Sequence, residues 1–367
     1  MSPAGGQGGT ETDDLRVAVL GYGLAGRIFH AGLIRATPGL RVTTVVTANP
    51  ERRAAAQNDD SGIGVLASVD ELWAQAADHD LVVVATPNAT HVPLALAALE
   101  SGLPVVVDKP MALTAADGRR LRAAAADVGL LLTVFQNRRW DSDTLTVRRM
   151  LTAGGHGVGP VLRFESRFER FRPDVDTGAW KERPGAEAGG GVLLDLGTHV
   201  VDSAMWLFGQ PEWVYAEVDA RRPGARVEDD AFLAMSHPGG VRSHLAVSAV
   251  AGDPGPRVRL RGLDGALTIP RVDSQEERLR AGDRADAPGW GAEAPDRWGY
   301  LTTRDGTRRL EPARGDYPAF YAGVRAALRE GAPPPVDSAD AVAVLDVLDA
   351  ARHSSQTTTV VPLPFTA

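Results

Sequence analysis

A chain of 367 residues is too long for one small core and accommodates two domains. With 44% hydrophobic and 23% charged residues it has the composition of an ordinary soluble globular protein, and 47 acidic against 39 basic residues, a formal charge of −8, argue against binding to nucleic acid or an anionic membrane. The absence of cysteine excludes disulfides, thiolate zinc, iron–sulfur clusters and a cysteine nucleophile together.

Residues 1–14, rich in Gly, Thr and Asp, carry neither the basic start nor the apolar core of a secretory signal and read as a solvated tail. No apolar run approaches the roughly 18 residues of a membrane span, so a cytoplasmic location is expected by default. An apolar strand over 15–20 then breaks into Gly21-Tyr22-Gly23-Leu24-Ala25-Gly26 and re-emerges as a helix. That order presents free backbone N–H groups to a phosphate. Gly21 permits the tight turn, Gly23 lets a pyrophosphate approach, and Gly26 brings helix and strand close, each by lacking a Cβ atom. The plain alternative is a strand-loop-helix with glycines for packing; the flanking strand and helix favour the nucleotide.

The β-branched stretch 40–47 predicts a second strand, and Pro50 opens a helix at its favoured first position. Dinucleotide sites place an acid at the tip of this strand to grip the ribose 2′-hydroxyl, whereas small or basic groups leave room for a 2′-phosphate. Here the tip reads Thr47-Ala48-Asn49, with Arg52 and Arg53 beyond it, which favours NADP over NAD; Glu51, able to swing in, keeps NAD open. Ser68-Val69-Asp70-Glu71 reads as a capping box without the usual acid at the third helical position, leading a short helix to about residue 76. The run 81–85 has the continuous apolar character of a strand buried on both faces. Thr86, Pro87, Asn88 and His91 turn it into a helix over 92–100, at the carboxyl end of a strand, where open α/β sheets bind ligands. His91 is read first as structural, with a place beside a nicotinamide as the second reading. A strand over 103–107 ends at Asp108-Lys109-Pro110, a helix over 114–127 is capped by Thr114, and a strand over 130–135 follows. This alternation predicts a doubly wound parallel sheet, a Rossmann domain, over 15–136.

Beyond it a helix over 141–153 precedes strands over 161–168, 214–220, 231–236, 241–250, 257–261 and 266–269, whose alternation predicts an open, largely antiparallel sheet. The second domain is therefore α+β, over 137–367. The polar stretch 271–300 reads as a long surface excursion, and amphipathic helices are expected over 317–330 and 338–353, the last free to pack back on the first domain. An open sheet face predicts a homodimer or homotetramer.

Chemistry concentrates in two places. Lys109, held extended by Pro110, is expected to point its ammonium into the cleft beside the cofactor, either paired or with a lowered pKa; a solvated loop lysine is the alternative. After Gly189-Gly190-Gly191 a helix over 192–208 is apolar nearly all round except Asp195, His199 and Asp202, spaced i, i+4 and i+7 on one face. Asp195 is expected to orient His199, a candidate general base, although a buried Asp–His pair is also compatible with structure alone. The stripe lacks a recognisable metal-ligand set.

Together the glycine turn 21–26, the turn 85–88 with His91, Asp108-Lys109-Pro110 and the Asp195/His199 helix resemble the glucose-fructose oxidoreductase / inositol dehydrogenase (Gfo/Idh/MocA) family. Phe135-Gln136-Asn137-Arg138-Arg139-Trp140-Asp141 and Trp180-Lys181-Glu182 are most similar to its NADP-dependent scyllo-inositol dehydrogenase branch. The resemblance implies reversible hydride transfer between a sugar or polyol carbon and nicotinamide C4. Lys109 would polarise the reacting oxygen, His199 would exchange its proton, Asp195 would set His199, and Asn137, Arg138, Trp180 and Asp202 would hold hydroxyls. Asp108 stands where the family commonly has Glu. A catalytically silent cofactor sensor, or a redox-neutral sugar enzyme with tightly held nicotinamide, are the competing readings.

Overall fold

The computed structural model describes residues 14–152, 157–176, 178, 182 and 189–364; the expected tail over 1–13 lies outside them. Strands β1 (Leu15–Leu20), β2 (Leu40–Val46), β3 (Gly64–Leu66), β4 (Leu81–Val84), β5 (Val105–Asp108) and β6 (Leu132–Phe135) form a parallel sheet in the order β3-β2-β1-β4-β5-β6. Chain direction across the sheet reverses between β1 and β4, which opens a crevice at their carboxyl ends. All of β4 is buried, as its apolar run requires.

The connections follow from local chemistry. A wide π turn, Ala25–Ala31, continues into α1 (Gly32–Arg35). Asn49 caps α2 (Pro50–Asp59) by accepting the Arg52 N–H at 3.0 Å. Ser68 Oγ caps α3 (Val69–Trp73) and donates to Glu71 Oε1 at 3.0 Å. Glu71 thus is the acid at the third helical position, contrary to the sequence reading, although its carboxylate accepts the Ser68 hydroxyl and not the Ser68 backbone N–H. Helices α4 (His91–Glu100) and α5 (Ala115–Val128), the latter capped by Thr114, complete the layer.

After α6 (Ser142–Thr152) comes β7 (Val161–Glu169). A second wide turn, Leu193–Gly197, then runs into α7 (Thr198–Phe208). Strands β8 (Trp213–Asp219), β9 (Asp230–Ser236), β10 (Arg242–Ser248), β11 (Val258–Gly262), β12 (Gly265–Ile269), β13 (Gly299–Thr303), β14 (Gly306–Leu310) and β15 (Val361–Pro362) join β7 in a nine-stranded sheet, β14-β13-β12-β11-β7-β10-β9-β8-β15. Its pairings are antiparallel except that of β7 with β10, which the crossover through α7 makes parallel. Phe164, Phe168, Leu245 and Val247 point inward and are buried, while Arg163, Arg167 and Arg242 alternate with them.

The stretch 271–300 is exposed over much of its length, as expected, but it is not surface excursion alone. It contains α8 (Gln275–Arg280), whose Gln275 is fully buried, donates to the Trp140 carbonyl at 3.0 Å and accepts from Trp290 Nε1 at 3.0 Å. Asp273, Ser274 and Gln275 spend their polar groups on internal bonds, whereas Arg271, Glu277, Arg284 and Asp296 stay exposed. Helix α9 (Pro318–Glu330) precedes α10 (Ser338–Thr357), which bridges the two sheets. Asp346 pairs with Arg119 on α5 at 2.7 Å, and Ser354 Oγ accepts the Ala216 N–H of β8 at 2.9 Å. Among the described residues no helix is long and apolar enough to cross a membrane.

The glycine turn is the tightest approach in the first sheet. A Cβ on Gly26 would lie 1.9 Å from the Gly21 carbonyl oxygen, so only glycine lets the π turn pack on β1. Gly26→Ala should cost about 1–3 kcal/mol of stability, read as a lowered thermal midpoint. An unchanged midpoint would contradict this packing.

Candidate active site

A cleft of about 610 Å³ runs along the carboxyl ends of the first sheet and is closed on its far side by α8 and the turn before α7. Gly21, Gly23, Leu24, Ala25, Thr47 and Arg52 line one end. Thr86, Pro87 and Asn88 line the middle, and Lys109, Asn137, Arg138, Asp195 and His199 the other end.

The first end fits a dinucleotide. Gly21 has φ +87°, and a Cβ there would stand 2.6 Å from the Ala85 carbonyl oxygen. A Cβ on Gly23 would meet nothing nearer than the Arg52 guanidinium, at 3.8 Å, so the backbone of this turn is open to the cleft. Such a turn at a helix start is where a pyrophosphate is held by N–H groups. Asn88 Nδ2 donates to the Gly189 carbonyl at 2.8 Å and pins the middle of the cleft to the segment that leads into α7.

Four predicted residues lie off the cleft wall. Gly26 faces Gly21 from inside the turn, and Asn49 is occupied as the cap of α2. His91 is buried with Nδ1 2.8 Å from the Pro110 carbonyl and Nε2 2.8 Å from that of Thr86, clamping the 86–91 turn to the chain after β5. This is the structural reading of His91. Asp202 is buried and takes Arg139 Nε at 3.0 Å and Nη2 at 2.7 Å, and Arg139 also reaches Asp340 at 3.1 Å. Turned into this ion cluster, Asp202 cannot meet a substrate hydroxyl. Trp180 lies outside the described residues.

Lys109 leaves the end of β5 and places Nζ 3.0 Å from Asp195 Oδ1 and 2.6 Å from the Asp195 carbonyl oxygen. Asp195 therefore holds the lysine rather than the histidine. The 3.6-residue spacing behind the expected Asp195–His199 pairing fails because the chain is π-wound from Leu193 to Gly197. Asp108 Oδ1 accepts the Lys109 N–H at 2.8 Å and lies 3.8 Å from His30 Nε2. Burial alone would raise the Asp108 carboxyl, but His30 and Lys109 outweigh it and hold it below the usual range.

His199 is buried against Phe168, with ring centroids 6.1 Å apart, and its Nδ1 has no hydrogen-bond partner among the described residues. Burial first, and then the Lys109 and Arg138 charges, push the imidazole well below its ordinary pKa against the opposing pull of Asp195. The ring is neutral near neutral pH and can accept a proton. Arg138 is anchored behind the cleft by Asp141 Oδ2 and the Tyr317 hydroxyl, both at 3.2 Å, and by Glu276. Burial lifts Asp141 to about 6, with Arg138 opposing.

Arg170, Glu276 and Arg280 also line the cleft and went unnoticed in the sequence. The i, i+4 spacing of Glu276 and Arg280 in the polar stretch was the available signal; Arg170, just past a strand end, offers none. Among the described residues no group of three or more His, Asp or Glu side chains could hold a metal.

The buried, neutral state of His199 is directly measurable. A histidine NMR titration of the wild type against His199→Asn should assign to His199 a ring that stays neutral as pH falls through about 6.5, the ordinary midpoint. A His199 midpoint at or above that value would contradict the burial described.

Residues 15–136 match the family described as "Oxidoreductase family, NAD-binding Rossmann fold", and residues 154–363 match "Oxidoreductase family, C-terminal alpha/beta domain". The chain is 38% identical over 349 residues to the uncharacterized oxidoreductase YdgJ of Escherichia coli, covering 94% of this chain and 97% of that one. It is 32% identical over 354 residues to the NADP-dependent scyllo-inositol 2-dehydrogenase IolW of Bacillus subtilis, covering 95% and 96%. The solved structure of the oxidoreductase yvaA from Bacillus subtilis superposes with a TM-score of 0.89 at 31% identity, over 96% of this chain and 99% of that one. With a Rossmann sheet, a largely antiparallel second sheet and matches across both, the chain belongs to the Gfo/Idh/MocA oxidoreductase family.

Proposed function

We propose that this protein is an NAD(P)-dependent dehydrogenase of a sugar or inositol-like polyol, acting on a CH–OH group and preferring NADP. One observation carries the reading: a buried, neutral His199 and an ion-paired Lys109 share the end of a cleft whose other end is an open glycine turn. The resemblance to a relative named as an NADP-dependent scyllo-inositol dehydrogenase supports the polyol class.

The bound dinucleotide would supply the nicotinamide ring that accepts or returns the hydride. Gly21, Gly23 and the start of the π turn would hold its pyrophosphate, and Thr86 and Pro87 would flank its path along the cleft. Lys109 would donate a hydrogen bond to the reacting oxygen and stabilise the negative charge that grows there. His199, uncharged, would take the hydroxyl proton at a ring nitrogen and return it in the reverse direction. Asp195 would act on Lys109, keeping the ammonium charged and aimed. Asn137 remains a candidate to orient substrate hydroxyls, whereas Arg138 has both terminal nitrogens engaged by Asp141, Tyr317 and Glu276, and only its Nε lacks a partner among the described residues.

Arg52 supports the choice of NADP. Its guanidinium lines the cleft beside Gly23 and makes no hydrogen bond or ion pair of its own among the described residues, and the tip of β2 carries no acid. A ribose 2′-phosphate would supply the missing partner.

Steady-state reduction of NADP and NAD with a panel of inositols and hexoses tests the reading. Turnover is expected with at least one polyol, and Lys109→Ala should lower it by about 10²-fold with cofactor affinity retained. Cofactor binding without turnover of any substrate would instead favour a sensor. Arg52→Ala should raise KM for NADP by about tenfold or more while leaving that for NAD nearly unchanged, since a charged hydrogen bond is worth about 1.5–3 kcal/mol. Equal effects on both cofactors would remove the NADP preference.

A further inference from the structure

Among the described residues, one cation at the substrate end of the cleft has no carboxylate bonded to it. Arg170 follows directly on β7, and its backbone is fixed by two hydrogen bonds, from its N–H to the Ser248 carbonyl at 2.8 Å and from the Ala251 N–H to its own carbonyl at 3.1 Å. Its side chain lines the cleft together with Lys109, Asp195, His199 and Glu276. Among the described residues, the other cations that line the cleft, Arg52 at its far end apart, each have a carboxylate partner. Lys109 is bound to Asp195, Arg138 to Asp141 and Glu276, and Arg280 to Glu276 through Nε at 3.0 Å and Nη2 at 2.9 Å. The Arg170 guanidinium makes no hydrogen bond or ion pair among the described residues. Its half-buried position and the like charges of Arg172 and Arg138 make that state costly, and Glu276 and Asp195 offset it only from a distance.

A guanidinium presents a planar fork of N–H donors that matches two oxygens of a carboxylate or a phosphoryl group. A neutral hydroxyl accepts one such bond and leaves the charge uncompensated. We propose that the substrate carries an anionic group, a carboxylate or a phosphoryl, which Arg170 seats so that a CH–OH of the same molecule lies beside Lys109 and His199. The substrate class is then a sugar acid or a polyol phosphate rather than a neutral polyol. This rests on the dehydrogenase reading above and narrows it.

The test pairs neutral compounds with anionic counterparts: glucose with glucuronate, and myo-inositol with a myo-inositol monophosphate. With NADP, the wild type should show kcat/KM about 10–100-fold higher for the anionic member of at least one pair, the range expected of a charged hydrogen bond. Arg170→Gln should collapse that ratio to near one, and Arg170→Lys, which keeps the charge without the fork, should restore part of it. Circular dichroism melts check that both variants fold. Which pair responds tells carboxylate from phosphoryl. Calorimetric titration of glucuronate and the inositol phosphate into the NADP-loaded protein reads Arg170 independently of turnover. Loss of anion binding in Arg170→Gln would support the proposal even in an inactive protein, while absence of turnover with every compound would count against the dehydrogenase reading alone. Neutral members used as well as anionic ones, or an anionic-to-neutral ratio or anion affinity unchanged in Arg170→Gln, would overturn it.

Discussion

Lys109 leaves the parallel sheet at the end of β5, Asp195 sits on the π turn that opens α7 in the second domain, and their 3.0 Å ion pair spans the cleft between the two. Both side chains are largely shielded, at 15% and 23% exposure, so neither charge is fully hydrated and each depends on the other. A second bond, from Nζ to the Asp195 carbonyl at 2.6 Å, fixes direction as well as distance. The ammonium is thereby aimed at the cleft while its charge is compensated.

The rest of the fold makes that pairing possible. Asn88 and Gly189 are joined beside it, Arg139 ties the turn after β6 to Asp202 on α7, and α10 packs on α5 while bonding to β8. Thr133 Oγ1 of β6 also donates to the Val336 carbonyl ahead of α10, at 2.7 Å. Each of these contacts crosses from one sheet's layer to the other's, which keeps the cleft from opening at its chemical end. Around the pair, positive charge is allotted unevenly. Lys109, Arg138 and Arg280 are neutralised by protein carboxylates, while Arg52 at one end and Arg170 at the other have no such partner among the described residues. Two unpaired guanidinium groups at opposite ends of one cleft suit ligands with negative charge at both. His199 lies near Lys109 and Arg138 and is neutral because of them and of its burial.

Much of this was legible in the sequence wherever a local signal carried it. The glycine turn, the buried run of β4, the caps Ser68 and Thr114 and the lysine before Pro110 depend on neighbouring residues alone, and the strand of a parallel sheet advertises itself by continuous burial. What local pattern could not supply was winding and long-range docking. The π turn at Leu193–Gly197 has no periodic signature, so Asp195 was aligned with His199 when it belongs to Lys109. Asp202 shared a helical face with His199 on paper but meets Arg139, 63 residues away in sequence. The three-residue β3 is too short to show a pattern. The mostly exposed β14, Gly-Thr-Arg-Arg-Leu, lacks apolar alternation because it is an edge. The stretch 271–300 looked wholly solvated because many of its residues are exposed, while Asp273 and Gln275 bond to distant parts of the chain, and Arg170 became meaningful only when other cations of the cleft were found to be engaged.

The role of the Lys109–Asp195 pair is tested most directly by a double-mutant cycle on kcat/KM. Asp195→Asn should lower kcat/KM in the wild-type background, and the same change in a Lys109→Met background should cost almost nothing further, because Asp195 acts through the lysine. Independent losses that add in the double variant would contradict the account, since Asp195 would then be acting on something other than Lys109.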